Sequence, residues 1–139
     1  FIVNPITAVF QKDFQELEII INGGIKTLEE SHNHLEKVDG VMIGRAAYEN
    51  PFMLKNIETE FYNESSVVDS KKEILNIYLE YVERKLLDGH DLGRMMKHLF
   101  GLSRGDKYAK SFRIKILEII KSSCLTIDNK KDLEKLLVY

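Results

Sequence analysis

The sequence predicts a mixed architecture: a parallel α/β segment followed by an all-α segment. Two observations carry this. Up to about residue 61 short apolar runs alternate with one amphipathic helix pattern, and from about residue 71 every apolar pattern has helical spacing. A third is the polar stretch Asn63–Asp69 between them, containing Asn63-Glu64-Ser65-Ser66, which reads as a linker. The division is therefore 1–61, a linker over 62–70, and 71–139.

Phe1-Ile2-Val3 reads as the tail of a strand, and Val9 to Phe14 as part of the helix after it. Leu17 to Ile21 reads as a buried strand that runs into Asn22-Gly23-Gly24, where the chain turns and backbone N–H groups are laid open. Thr27-Leu28-Glu29-Glu30 has the capping-box pattern, a hydroxyl at the N-cap and a carboxylate three residues on. It explains Glu29-Glu30 better than a catalytic carboxylate pair does. The helix should run to about Lys37, with Leu28, Leu35 and Val38 on its apolar side. Asp39-Gly40 breaks it, and Val41-Met42-Ile43 reads as a second buried strand ending at Gly44-Arg45. A helical crossover between two strands that are apolar throughout is the pattern of parallel strands covered on both faces. Ala46-Ala47-Tyr48 begins a helical turn, and Asn50-Pro51 starts a helix with proline at its first position.

In the second segment, Lys71 to Asp88 carries Ile74, Leu75, Tyr78, Leu79, Val82 and Leu86 at helical spacing, and Gly89 ends it. Leu92 to Leu102 is a second helix, stopped by Ser103-Arg104-Gly105. Asp106 to Ser122 is a third, with Tyr108, Phe112, Ile116, Ile119 and Ile120 inward. Asn129 to Leu137 is a fourth.

The chain has 139 residues, enough for one ordinary domain or two small ones. No run of about 18 apolar residues is present, which excludes a membrane-spanning helix. The opening residues lack the pattern of a signal peptide and an initiator Met, so the chain is expected to be cut from a longer one. One cysteine, Cys124, excludes an internal disulfide, suits a reducing compartment and is expected to be a small buried or half-buried side chain. The net charge of −2 conceals an asymmetry. Residues 93–121 hold Arg94, Lys97, Arg104, Lys107, Lys110, Arg113, Lys115 and Lys121 against only Asp106 and Glu118, a footprint suited to a polyanion. A solvated helix face is the alternative. His32 and His34, two apart on a helix, make a poor metal pair, and no Cys/His/Asp spacing suggests zinc. His90 and His98 read as surface residues, and Tyr78, Tyr81 and Tyr108 as core or rim.

Gly23-Gly24 and Gly44-Arg45 occupy equivalent ends of successive parallel strands. Glycines there let backbone N–H groups approach a ligand, helix N-termini favour negative charge, and Arg45 offers a planar fork for phosphate. Together they point to a phosphate-bearing ligand.

Three segments, INGGIKTLEE, VDGVMIGRAAYENPFML and MMKHLFGLSRGDKYAKSFR, resemble the C-terminal half of the tRNA-dihydrouridine synthases, most closely the A-type subfamily, in the same order and over residues 17 to about 120. The resemblance implies the last strands of an FMN-binding (β/α)8 TIM barrel followed by a helical bundle that holds tRNA. It implies reduction of D-loop uridines to 5,6-dihydrouridine, with FMN as hydride carrier, NADPH as electron source and tRNA as partner, in the cytoplasm or an organelle. Asn22, Gly23, Gly24, Gly44 and Arg45 match the family's FMN-phosphate segments. Lys110 and Arg113 match a basic pair that contacts tRNA. The family's catalytic cysteine lies in the barrel half outside this chain, and Cys124 matches no such position. The family's His-Ala-Arg segment is also unmatched, since Val3 is followed by Asn4-Pro5-Ile6-Thr7. The chain alone is expected to be inactive, and its open sheet edges predict aggregation or pairing with another copy. The alternatives are part of another FMN-barrel oxidoreductase, whose motifs are looser versions of the first two, or a non-catalytic RNA-binding helical module.

Overall fold

A computed structural model of the chain describes residues 13–14, 16–65 and 68–137. The expectations for Phe1–Val3, for Val9 up to residue 12 and for the Asn4–Thr7 departure lie outside the described residues. The chain divides into two compact units, 1–47 and 48–139.

In the first unit, strand β1 (Ile20–Asn22) is followed by helix α1 (Leu28–Leu35) and strand β2 (Gly40–Met42). The strands pair in parallel, with Ile20 opposite Gly40, Ile21 opposite Val41 and Asn22 opposite Met42. Strand β1 starts later than the apolar run predicts. Leu17 closes a turn instead, its N–H donating to the Phe14 carbonyl at 3.1 Å. The Ile19 N–H donates to the Asp39 carboxylate at 2.8 Å, and the N–H groups of Asp39 and Gly40 both donate to the Ile19 carbonyl. The ladder therefore begins at Ile20 and takes in Asn22, and β2 starts and stops one residue earlier than expected. The strands are also less buried than their composition predicts. Ile20 is 62 % and Met42 47 % exposed, a face left open among the described residues.

The capping box is present as read. Thr27 Oγ1 accepts from the Glu30 N–H at 3.1 Å, and Glu30 Oε2 accepts from the N–H groups of Lys26 at 2.7 Å and Thr27 at 3.3 Å. Helix α1 stops at Leu35 rather than Lys37, because the N–H groups of Lys37 and Val38 both turn back to the His34 carbonyl. Val38 is buried, as are Ile25 and Ser31. Thr27→Ala is expected to cost about 1 kcal/mol, the usual value of an N-cap hydroxyl. Urea denaturation of the chain measures it, and an unchanged midpoint would show that the cap is redundant.

Helix α2 (Arg45–Glu49) crosses from one unit to the next, and α3 (Met53–Tyr62) follows. Asn63 ends α3 in the left-handed region (φ 52°). The described parts of 63–70 hold no helix or strand. Lys55 ties this stretch back to α3 through Asp69, at 3.1 Å to its carbonyl and 3.2 Å to its carboxylate.

Four further helices carry the core: α4 (Lys71–Leu87), α5 (Leu92–Lys97), α6 (Ala109–Ser122) and α7 (Ile127–Leu136), with a 3-10 turn over His98–Gly101. Each of three starts on a side-chain cap missed in the sequence: Ser70, Asp91 and Thr126 accept from the N–H groups of Glu73, Arg94 and Asn129. Leu75, Leu79 and Val82 of α4, Phe112, Ile116 and Ile119 of α6, and Met96, Leu102, Leu133 and Leu137 form one apolar cluster. Lys130 of α7 pairs with Glu83 of α4 across it. The third predicted helix begins at Ala109, not Asp106, and Tyr108 stands before it, 39 % exposed rather than inward. Cys124 is exposed, not buried. It lies past the left-handed residue Ser123 (φ 53°), where its carbonyl accepts from Asn129 Nδ2 at 3.2 Å. No described helix is long and apolar enough to cross a membrane.

Candidate functional site

The residues predicted to hold a phosphate are brought to one end of the parallel pair. Asn22 and Met42 are register partners, so Gly23-Gly24 and Gly44-Arg45 leave the sheet side by side. Gly23 (φ 109°) and Gly24 (φ 77°) have left-handed backbones that a side chain would strain. A Cβ built on either meets nothing within 4 Å among the described residues. Among those residues nothing covers their backbone, which is what a bound anion needs. Asn22, Gly44 and Arg45 are exposed beside them. The residues suit a phosphate: three glycine amides, a carboxamide and a guanidinium, with no carboxylate among them.

A second set of candidates lies on α6. Lys110 and Arg113 are both exposed, three residues apart on the helix. Arg113 donates through Nε to the Phe100 carbonyl at 3.3 Å, which fixes the plane of its guanidinium. The rest of the basic run splits. Lys115 is held by Asp132 at 3.0 Å, and its hydrogen bond, with a second from Lys135, keeps the Asp132 carboxyl below its ordinary range. Arg104 is paired with Glu49 at 2.6 Å. Arg94, Lys97, Lys107, Lys110, Arg113 and Lys121 are exposed, and none of them makes an ion pair with a described carboxylate.

Sequence reasoning missed a cleft of about 290 Å³ lined by Tyr48, Glu49, Phe100, Gly101, Arg104 and Arg113. Its residues lie far apart in sequence, so only Arg104 and Arg113, both in the basic run, carried a signal. Tyr48 OH lies 3.1 Å from His98 Nδ1, and the two rings meet edge-on at 5.7 Å and 87°. Tyr78 is a rim residue whose hydroxyl donates to the Met95 carbonyl at 3.0 Å. Burial raises its pKa, with Tyr81 and Tyr48 adding to the effect. No described group of His, Cys, Asp and Glu has the arrangement of a metal site.

Both sets of residues fall inside one family match. The model of the family described as dihydrouridine synthase matches residues 4–136. The chain belongs to the dihydrouridine synthase family. Curated relatives agree. The tRNA-dihydrouridine(20/20a) synthase of Vibrio vulnificus (strain CMCP6) is 40 % identical over 108 residues, 78 % of this chain and 33 % of the relative. The protein of the same name from Synechocystis sp. is 43 % identical over 103 residues, 74 % of this chain and 31 % of its own. That from Pseudomonas putida is 40 % identical over 108 residues, 78 % and 32 %. The chain thus spans about a third of the length of these dihydrouridine synthases. Membership decides against the alternative of another oxidoreductase family.

Proposed function

We propose that this chain supplies part of an enzyme that reduces D-loop uridines of tRNA to 5,6-dihydrouridine, with FMN as hydride carrier and NADPH as electron donor. On this reading 1–61 is part of the (β/α)8 barrel, 62–70 a linker, and 71–139 the helical tRNA-binding domain. The observation that carries it is the pair of glycine-bearing strand ends on one side of a parallel unit, with open backbone at Gly23 and Gly24.

FMN, when bound, supplies the two-electron chemistry. The chain's residues do the holding. The amides of Gly23, Gly24 and Gly44 and the side chain of Asn22 would donate to its phosphate, and the Arg45 guanidinium would balance its charge. Holding the phosphate at a strand end would contribute to positioning, which is the part of catalysis these residues supply. Lys110 and Arg113 contact the tRNA backbone, a salt-dependent interaction largely blind to sequence. The chain by itself is expected to be inactive and, through the open edges of its two strands, to associate with another copy. The compartment is one that holds tRNA, cytoplasm or organelle.

The test uses the full-length gene. Its deletion is expected to remove dihydrouridine from at least one tRNA position, and the wild-type gene to restore it. A full-length variant with Gly24→Val and Arg45→Ala should purify with roughly a tenth or less of the wild-type flavin and fail to restore the modification. Unchanged dihydrouridine in the deletion strain would overturn the reading.

A further inference from the structure

Of the residues lining the cleft between Tyr48-Glu49 and the Phe100–Arg113 region, the reading above uses only Arg113. We propose that it is a seat for one nucleotide of the bound RNA, with Arg104 and Arg113 holding a phosphodiester and Tyr48 offering its ring to the adjoining base. This rests on the proposal that the helical domain binds tRNA and adds a built subsite to it.

Three features make the cleft more than a dent in a basic surface. The first is the state of its two arginines. Arg113 commits Nε to the Phe100 carbonyl, and Arg104 commits Nη1 to Glu49 Oε2 at 2.6 Å. Each guanidinium is thereby oriented, while its remaining N–H groups are left for a ligand. Two oriented forks lining one cavity suit the oxygens of a phosphodiester.

The second is the aromatic wall. Tyr48 is 60 % exposed, yet its ring is fixed by the hydrogen bond and the edge-on contact with His98. An exposed, immobilised ring beside a phosphate site is the usual stacking platform for an unpaired base. The third is size. At about 290 Å³ the cleft lies just below the range of roughly 300–1,000 Å³ for pockets that bury drug-sized ligands, a size that suits a single nucleotide held partly in the open. Lys97, Lys107 and Lys110, each three residues in sequence from a lining residue (Phe100, Arg104 and Arg113), are exposed cations that favour a polyanion over a free metabolite.

Glu49 gives the proposal its sharpest consequence. If the Arg104–Glu49 pair exists only to tie the fold together, removing either partner has the same effect. If the cleft takes a phosphate, Glu49 competes with that phosphate for Arg104, and the two removals act in opposite directions.

The experiment is a titration of the chain with tRNA at several salt concentrations. Arg104→Gln is expected to weaken binding roughly fivefold to tenfold at low salt and to lower the slope of log K against log salt by about one. Glu49→Gln is expected to tighten binding about twofold to threefold. Tyr48→Leu should weaken it about fivefold, and Tyr48→Phe, which keeps the ring, much less. Thermal melts confirm that each variant is folded, since the pair is half exposed on both sides and exposed pairs contribute little. Wild-type affinity in folded Arg104→Gln, or weakening by Glu49→Gln, overturns the proposal. The variant Lys110→Ala, at a residue outside the cleft lining, tests the underlying reading separately. If it weakens binding and Arg104→Gln does not, the helical domain binds tRNA without this subsite. If wild-type chain fails to bind tRNA, both fall.

Discussion

Gly101→Ala is expected to destabilise the helical unit by about 2–4 kcal/mol, which lowers its melting temperature by roughly 10 °C or more. The direction is not that of a usual glycine replacement. In the interior of a helix, alanine gains about 1 kcal/mol over glycine. Here a Cβ would lie 2.5 Å from the Tyr48 carbonyl oxygen and 2.8 Å from that of Glu49. Both are backbone atoms, so no rotamer change relieves the clash, and the 98–101 turn must move away from residues 48–49. Gly93→Ala is the matched control. Its Cβ would meet the Ile120 Cγ2 methyl at 3.2 Å and Asp91 Oδ1 at 3.4 Å, side-chain atoms at longer range than the two carbonyls at Gly101, and it is expected to cost clearly less than Gly101→Ala. Calorimetry or urea denaturation of both variants decides. Equal stabilities would mean that the close approach at Gly101 is not held in solution. Gly101 also lines the cleft, so the same variant should reduce tRNA binding in proportion to the displacement.

What was legible in the sequence follows from the range of each interaction. The capping box at Thr27 involves residues three apart, so the pattern was enough. The apolar stripe Leu75-Leu79-Val82 was legible because a helix repeats its face every three to four residues, whatever covers it. The glycine ends of β1 and β2 were legible because parallel strands bring equivalent positions together. The errors sit where a distant group claims an atom. Asp106 looks like the start of a helix. Its side chain is bound to Lys71, thirty-five residues away, and the helix starts at Ala109. Leu17 looks like strand, but the Asp39 carboxylate takes up the Ile19 N–H and delays the ladder. The cleft was illegible for the same reason, since Tyr48 and Arg104 have no sequence relation to each other. Cys124 was misjudged because its apolar neighbours suggested burial, whereas the αL turn at Ser123 carries it to the surface.

The same long-range pair gives the second large effect. Lys71→Met is expected to destabilise the helical unit by about 2–4 kcal/mol. Lys71 Nζ donates to Asp106 Oδ1 at 2.6 Å and to the Arg104 carbonyl at 3.0 Å. Both side chains of the pair are only 12 % exposed. Lys71 also stands 5.7 Å from the centre of the Phe52 ring, within range of a cation–π contact. Removing the ammonium leaves a largely buried carboxylate without its counter-charge. Its other oxygen, Oδ2, already has no hydrogen-bond partner among the described residues, and neither does the buried Ser103 hydroxyl close by in sequence. Replacing both partners by apolar residues removes the desolvation cost together with the attraction. Lys71→Met combined with Asp106→Leu is therefore expected to be less destabilised than Lys71→Met alone, despite carrying one more substitution. Urea denaturation of the two single variants and the double variant forms a thermodynamic cycle. Additive losses would show that the two charges do not depend on each other. A double variant that recovers stability would establish that Lys71 is retained at the start of α4 chiefly to neutralise Asp106, and so to fix the turn from which Arg104 projects.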